Sequence, residues 1–166
     1  RHYRPPDERH RQIGAATVAF LRGQRTRAAR WLTPVLEDAR RVLDVGCGRG
    51  AQRVDVAAEW VGIEIDPASV VEARIRNPDD TWLWCSAAGP RACPLTGAPA
   101  EALRDAGFDA LVAVHSLQAA AETPETWAAW GANLTALAAP GAVLCVTFIN
   151  PEWLFESMQV PVSWAL

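Results

Sequence analysis

The stretch Leu43-Asp44-Val45-Gly46-Cys47-Gly48-Arg49-Gly50 closes a short apolar run and alternates glycine at 46, 48 and 50. Without Cβ atoms, such a turn bends tightly and lets a ligand lie on the backbone, and a helix starting after it offers free N–H groups. Twenty residues after Asp44, Glu64 stands near the end of a second apolar run, Trp60-Val-Gly-Ile-Glu-Ile65. A carboxylate on the adjacent strand tip can accept both hydroxyls of a ribose. The pair therefore points to a nucleoside-containing ligand across the carboxyl edge of two parallel strands. The dinucleotide fingerprint G-x-G-x-x-G sets its third glycine one place later and has a pyrophosphate to hold. Here Asp44 faces the turn, and a carboxylate there repels pyrophosphate and attracts a cation. S-adenosyl-L-methionine carries an ammonium, a sulfonium and no phosphate, and fits better. A Walker phosphate loop is excluded by the missing G-K-[ST]. The plain alternative is a glycine turn with a structural role only.

The elements that must position these residues alternate along the chain. Pro5 and Pro6 mark residues 1–7 as an irregular arm. From about Asp7 to Asp38 the apolar spacing is helical, divided near Gly23, with Asp7 as an N-cap. Arg41–Val45 reads as a buried strand, about Ala51–Glu59 as a short helix, and Trp60–Ile65 as a second strand. Asp66 caps a helix over Pro67–Arg76, with proline at its first position. Thr81–Cys85 is a third strand and Ala100–Ala106 a helix. Phe108–Val114 is a fourth strand, Pro124–Leu137 a helix, and Ala142–Phe148 a fifth strand after a turn at Pro140-Gly141. Strands alternating with helices predict an α/β, Rossmann-like, doubly wound and mainly parallel sheet. One domain is expected, with residues 1–40 as a basic leading segment and 41–166 as the core.

The composition bounds the function. The chain has 166 residues, half of them hydrophobic, with 21% charged and a net charge of −3, which fits a folded domain. No apolar run approaches the roughly 20 residues that span a bilayer. Cys47, Cys85, Cys93 and Cys145 form no C-x-x-C pair and read as reduced thiols, with no zinc site and no other metal, in an intracellular protein that is not secreted. All 16 basic residues are arginine, and alanine is abundant, as a GC-rich coding bias would produce. Residues 1–41 carry a balance of +6 and the remainder −9, which suggests an anionic partner near the N-terminus or a solvated helix face.

Across about Arg41–Asn150 the chain resembles the class I S-adenosylmethionine-dependent methyltransferases. The resemblance rests on Asp44-Val-Gly-Cys-Gly-Arg-Gly50, Gly62-Ile-Glu-Ile-Asp66, Phe108-Asp109 and Ala139-Pro-Gly-Ala142. It implies S-adenosyl-L-methionine as cofactor, with Asp44, Gly46 and Gly48 lining the methionine end and Glu64 holding the ribose. It extends the cofactor set to Cys47, Ile65, Ser86, Val114 and His115. Ser86 stands where many members place an acidic residue for the adenine amino group.

The acceptor is approached by elimination. There is no lysine for a ribose 2′-O tetrad, and His115-Ser-Leu-Gln118 replaces the N/D/S-P-P-aromatic segment of exocyclic-amine enzymes. None of the four cysteines follows strand four, as a cytosine C5 enzyme would need. An already nucleophilic acceptor remains, or a small molecule, so no catalytic side chain is assigned. Among families, the mRNA cap guanine-N7 methyltransferases are the most similar, through His2-Tyr3, Phe20-Leu-Arg-Gly-Gln24, Glu122-Thr-Pro-Glu125, Asn133-Leu134 and Val146–Asn150. That resemblance implies an RNA 5′ cap as partner, a place in a larger capping protein, and substrate contacts from Tyr3, Arg22, Gln118 and Glu122. Gln118 and Ala119 replace that family's His-Tyr pair, and its strands six and seven are not seen in this chain. A small-molecule methyltransferase and a degenerate scaffold or stimulatory subunit are the alternatives. Trp127 and Trp130 are expected to face the core together, and Trp82 and Trp84 to share one face of strand three.

Overall fold

The computed structural model describes residues 29–86, 103, 107–114, 116 and 123–147, with Thr126 described by its backbone alone. Five strands form one parallel sheet: β1 (Arg41–Val45), β2 (Glu59–Glu64), β3 (Thr81–Trp84), β4 (Phe108–Val114) and β5 (Ala138–Thr147). Their spatial order is β3-β2-β1-β4-β5, with every neighbouring pair parallel. The chain thus leaves β1 in one direction to build β2 and β3, then returns to the other side for β4 and β5. That reversal lies between β1 and β4, where open α/β sheets bind ligands. Strands six and seven are absent from the described residues.

Strand parity divides the buried side chains between two faces. Leu43, Val45, Val61, Ile63, Leu111 and Ala113 form one core with Trp130, Leu134 and Leu137 of helix α2 (Pro124–Leu137). On the opposite face lie Val42, Asp44, Trp60 and Trp82, against helix α1 (Pro67–Arg76), which buries Val70 and Ala73. Asp66 caps α1 as its sequence implies: its carboxylate accepts from the Ala68 and Ser69 N–H groups at 3.3 and 3.1 Å and from the Ser69 hydroxyl at 2.6 Å. These hydrogen bonds, the hydroxyl's first, hold the Asp66 carboxyl below its ordinary range. Asp109 braces the sheet at the other edge, accepting from the Arg40 and Arg41 backbone N–H groups at 2.9 and 3.0 Å.

The structure departs from the sequence reading in several places. No helix forms over 51–59; residues 51–58 are turns and bends, and β2 already begins at Glu59. Arg53 instead ties this stretch down, donating to Asp80 Oδ2 and to the Val54 and Val56 carbonyls. β2 ends at Glu64 and β3 at Trp84, one residue early in each case. β5 starts at Ala138, immediately after α2, and Pro140-Gly141 lies inside it as an irregularity: Phe108 pairs with Ala138, but Ala110 pairs with Val143. The expected turn is therefore a bulge within the strand. Trp127 is 41% exposed, so Trp130 alone reaches the core; the two rings meet edge to face at 6.3 Å. Among the described residues, helical backbone runs over 29–35 and stops short of Asp38, and Leu32 and Leu36 are buried. Residues 1–28 and the helix expected at Ala100–Ala106, apart from buried Leu103, lie outside the described residues.

Candidate functional site

The glycine turn follows β1 at the carboxyl edge of the sheet. Gly46, Gly48 and Gly50 take φ values of 68°, 53° and 67°, a left-handed backbone that other residues adopt only under strain. The N–H groups of Gly46 and Cys47 both donate to the Ile63 carbonyl, at 2.8 and 3.1 Å, and that of Gly50 donates to the Cys47 carbonyl at 3.0 Å. The Gly48 N–H donates to Glu64 Oε2 at 2.9 Å. The sequence reading anticipated free N–H groups at a following helix; instead no helix follows, and these four N–H groups are paired inside the protein. An anion such as pyrophosphate thus finds none of these four N–H groups waiting. Space does exist: a Cβ built on Gly48 would have no heavy atom within 4 Å, whereas one on Gly46 would meet Ser116 Cβ at 2.2 Å.

Glu64 links the turn to the start of α1. Its Oε1 accepts from the Ile65 and Asp66 backbone N–H groups at 2.7 and 2.9 Å, while Oε2 takes Gly48. Its register partner is Trp84, whose indole N–H donates to the Ile65 carbonyl at 2.7 Å. Ile65 projects its side chain 67% into solvent beside this carboxylate, an apolar surface suited to a flat base. Ser86 lies half-buried two residues past β3.

Asp44 is 1% exposed, and its Oδ2 has no hydrogen-bond partner. Burial pushes its carboxyl up to about 7; the Trp60 indole N–H opposes this and the Glu64 carboxylate adds to it. The Trp60 N–H faces the carboxylate closely enough to favour its charge, yet without the geometry of a full hydrogen bond, so both atoms remain unsatisfied. An unsatisfied buried carboxylate is costly, and a cationic group brought beside it would relieve that cost. Cys47, also buried, has its thiol pushed up by burial and by the Asp44 and Glu64 carboxylates, so it is inert as a nucleophile.

Of the residues assigned from sequence, Asp44, Gly46, Cys47, Gly48, Glu64 and Ile65 come together across β1 and β2, with Ser86 after β3 and Val114, 6% exposed, closing β4. Tyr3, Arg22, His115, Gln118 and Glu122 lie outside the described residues. Three neighbours were not assigned to the site from sequence. Ser116 sits over Gly46 and donates its hydroxyl to the Val45 carbonyl at 2.5 Å. Trp60 faces Asp44 from a position diagonal to it in the strand register. Trp82 packs over Gly62, where a Cβ would meet its ring at 2.3 Å, and the same ring lies beside Gly50. The pairing of a strand glycine with a tryptophan was the one visible signal.

A cavity of about 350 Å³ opens elsewhere, where the connections enter β2 and β3, lined by Arg53, Asp55, Arg76, Asn77 and Asp80 among others. Arg53 closes its wall, bound to Asp80 Oδ2 at 3.0 Å and lying over the Trp60 ring. Among the described residues, no cluster of His, Cys, Asp and Glu is placed to hold a metal, and no helix is long and apolar enough to cross a membrane.

A parallel sheet in this order, with a glycine turn after β1 and a carboxylate at the tip of β2, defines a Rossmann-like methyltransferase of class I. The chain belongs to the methyltransferase domain family, whose sequence model matches residues 43–145. The cofactor of this class is S-adenosyl-L-methionine. Solved structures agree in fold. DesVI from Streptomyces venezuelae superposes with a TM-score of 0.59 at 21% identity, covering 90% of this chain and 61% of its own. CalS10 from Micromonospora echinaspora, an amino pentose methyltransferase solved with S-adenosylmethionine bound, gives 0.58 at 24%, covering 92% and 61%. The sugar N-methyltransferase KedS8 from Streptoalloteichus gives 0.60 at 22%, covering 82% and 55%. This chain thus spans less than two thirds of the length of each. Comparison with curated proteins found no match.

Proposed function

We propose that the chain is the cofactor-binding core of a methyltransferase that modifies a small molecule carrying an already nucleophilic atom, a sugar amine being the leading candidate. The observation that carries the cofactor part is the joining of Asp44, the glycine turn and Glu64 at one sheet edge. The residues fit S-adenosylmethionine in kind. Asp44 Oδ2 is a buried carboxylate oxygen in want of a cation, Gly48 leaves open space, and Ile65 exposes an apolar surface beside Glu64. Glu64 would hold the ribose, Ile65 and Ser86 the base, and Asp44, Gly46 and Gly48 the methionine end. When bound, S-adenosylmethionine supplies an electrophilic methyl on a sulfonium. The protein's own task is then alignment: the turn fixes position and Asp44 favours a cation.

The sugar acceptor is supported by the kinds of enzyme that share the fold, CalS10 being an amino pentose methyltransferase and KedS8 a sugar N-methyltransferase. The cap-guanine reading rests on Tyr3, Arg22, Gln118 and Glu122, and the sugar enzymes favour the small-molecule alternative over it. Calorimetry with S-adenosylmethionine and its demethylated product should show micromolar binding; none at high micromolar concentration would leave the scaffold reading. Methyl transfer to a panel of amino sugars beside a cap dinucleotide then decides the acceptor. Transfer to the cap alone would overturn the sugar assignment.

A further inference from the structure

Glu64 is already occupied in the folded protein. A carboxylate has about four acceptor sites, two on each oxygen. Oε1 accepts two backbone N–H groups, from Ile65 and Asp66, and is full. Oε2 accepts one, from Gly48, and keeps one site. Resting on the cofactor reading above, we infer that Glu64 accepts only one of the two ribose hydroxyls and keeps the Gly48 N–H on the same oxygen when the nucleoside binds.

The retained bonds have structural reasons. Ile65 and Asp66 are the exit from β2 into the cap of α1, so releasing their N–H groups would loosen that junction. The Gly48 N–H is part of a turn in which the Gly46, Cys47 and Gly50 N–H groups are also internally paired. Letting Oε2 leave Gly48 would strand a half-buried donor to gain a second hydroxyl contact. One carboxylate therefore acts both as a positioning residue for the turn and as the recognition group for a single hydroxyl. This differs from a clasp in which each carboxylate oxygen takes one hydroxyl.

The test is calorimetry on the full chain with S-adenosylhomocysteine and its 2′-deoxy and 3′-deoxy forms, with the Gly48 amide followed by NMR hydrogen exchange. One deoxy form should bind within about threefold of the parent and the other should lose about tenfold or more, as a lost charge-assisted hydrogen bond does. The Gly48 amide should exchange slowly both free and loaded. Equal losses of tenfold or more for both deoxy forms, or no loss for either, would overturn the inference, as would faster Gly48 exchange on loading. If S-adenosylhomocysteine itself does not bind, the cofactor reading falls and takes the inference with it, an outcome distinct from these. In a folded Glu64→Gln variant, the difference between the two deoxy forms should shrink to within about twofold; a difference that persists assigns the sensitive hydroxyl to another group.

Discussion

The fold changes the chemistry of Asp44. Unfolded, its carboxyl titrates near 4; folded, it titrates at about 7 because burial disfavours the charge. The native state therefore binds more protons than the unfolded state between those values. Stability must then fall as pH rises from about 4 through about 7. The full shift corresponds to about 4 kcal/mol at most. Thermal melts across this window should show the decline, and Asp44→Asn should flatten it. If the variant melts with the same pH slope as the parent, Asp44 is not the group. A ligand bearing an ammonium needs the ionised form, so cofactor affinity should climb with pH towards and past 7, and Asp44→Asn should weaken binding and remove that climb.

Glycines at two places in the elements separate folding from binding. Gly62→Ala sets a methyl against the Trp82 ring and Cys47 sulfur, at 2.3 and 2.8 Å, in a packed core. It should cost about 1–3 kcal/mol, or more, in denaturant unfolding. Gly48→Ala has open space around its methyl and carries only the left-handed backbone penalty, about 1–2 kcal/mol. It should leave the fold intact and reduce cofactor affinity at least tenfold in calorimetry. Unchanged affinity would move the ligand off the turn. Much of this was legible in the sequence: strands alternating with helices announce the parallel sheet, and Asp66-Pro67 announces α1. What stayed hidden depended on long-range contacts and pairing. Nothing in Ala51–Ala58 is hostile to a helix, yet the stretch forms turns and bends tied through Arg53 to the distant Asp80. Trp127 and Trp130 share helical spacing, but only the position of α2 over the sheet decides which is covered. Ser116 lies over Gly46 because β4 runs beside β1, a pairing no local pattern records.

Across the whole molecule the two edges of the sheet do different work. The carboxyl edge gathers Asp44, Gly48 and Glu64, while the amino edge is tied by backbone and ion-pair braces. Arg41 meets Glu59 at 2.8 Å, Asp109 holds Arg40 and Arg41, and Arg53 meets Asp80 with both side chains largely covered. Arg53→Ala should therefore cost about 1–3 kcal/mol, between the worth of exposed and buried pairs. Cofactor affinity, measured well below the melting temperature, should remain within twofold; a larger drop would mean that the two edges are coupled. The internally paired glycine turn also bears on how fast a ligand is captured. A surface whose donors are satisfied beforehand has little disorder to lose on contact, so association should run at an ordinary bimolecular rate with no slow ordering phase, and differences among related ligands should show in how long they stay.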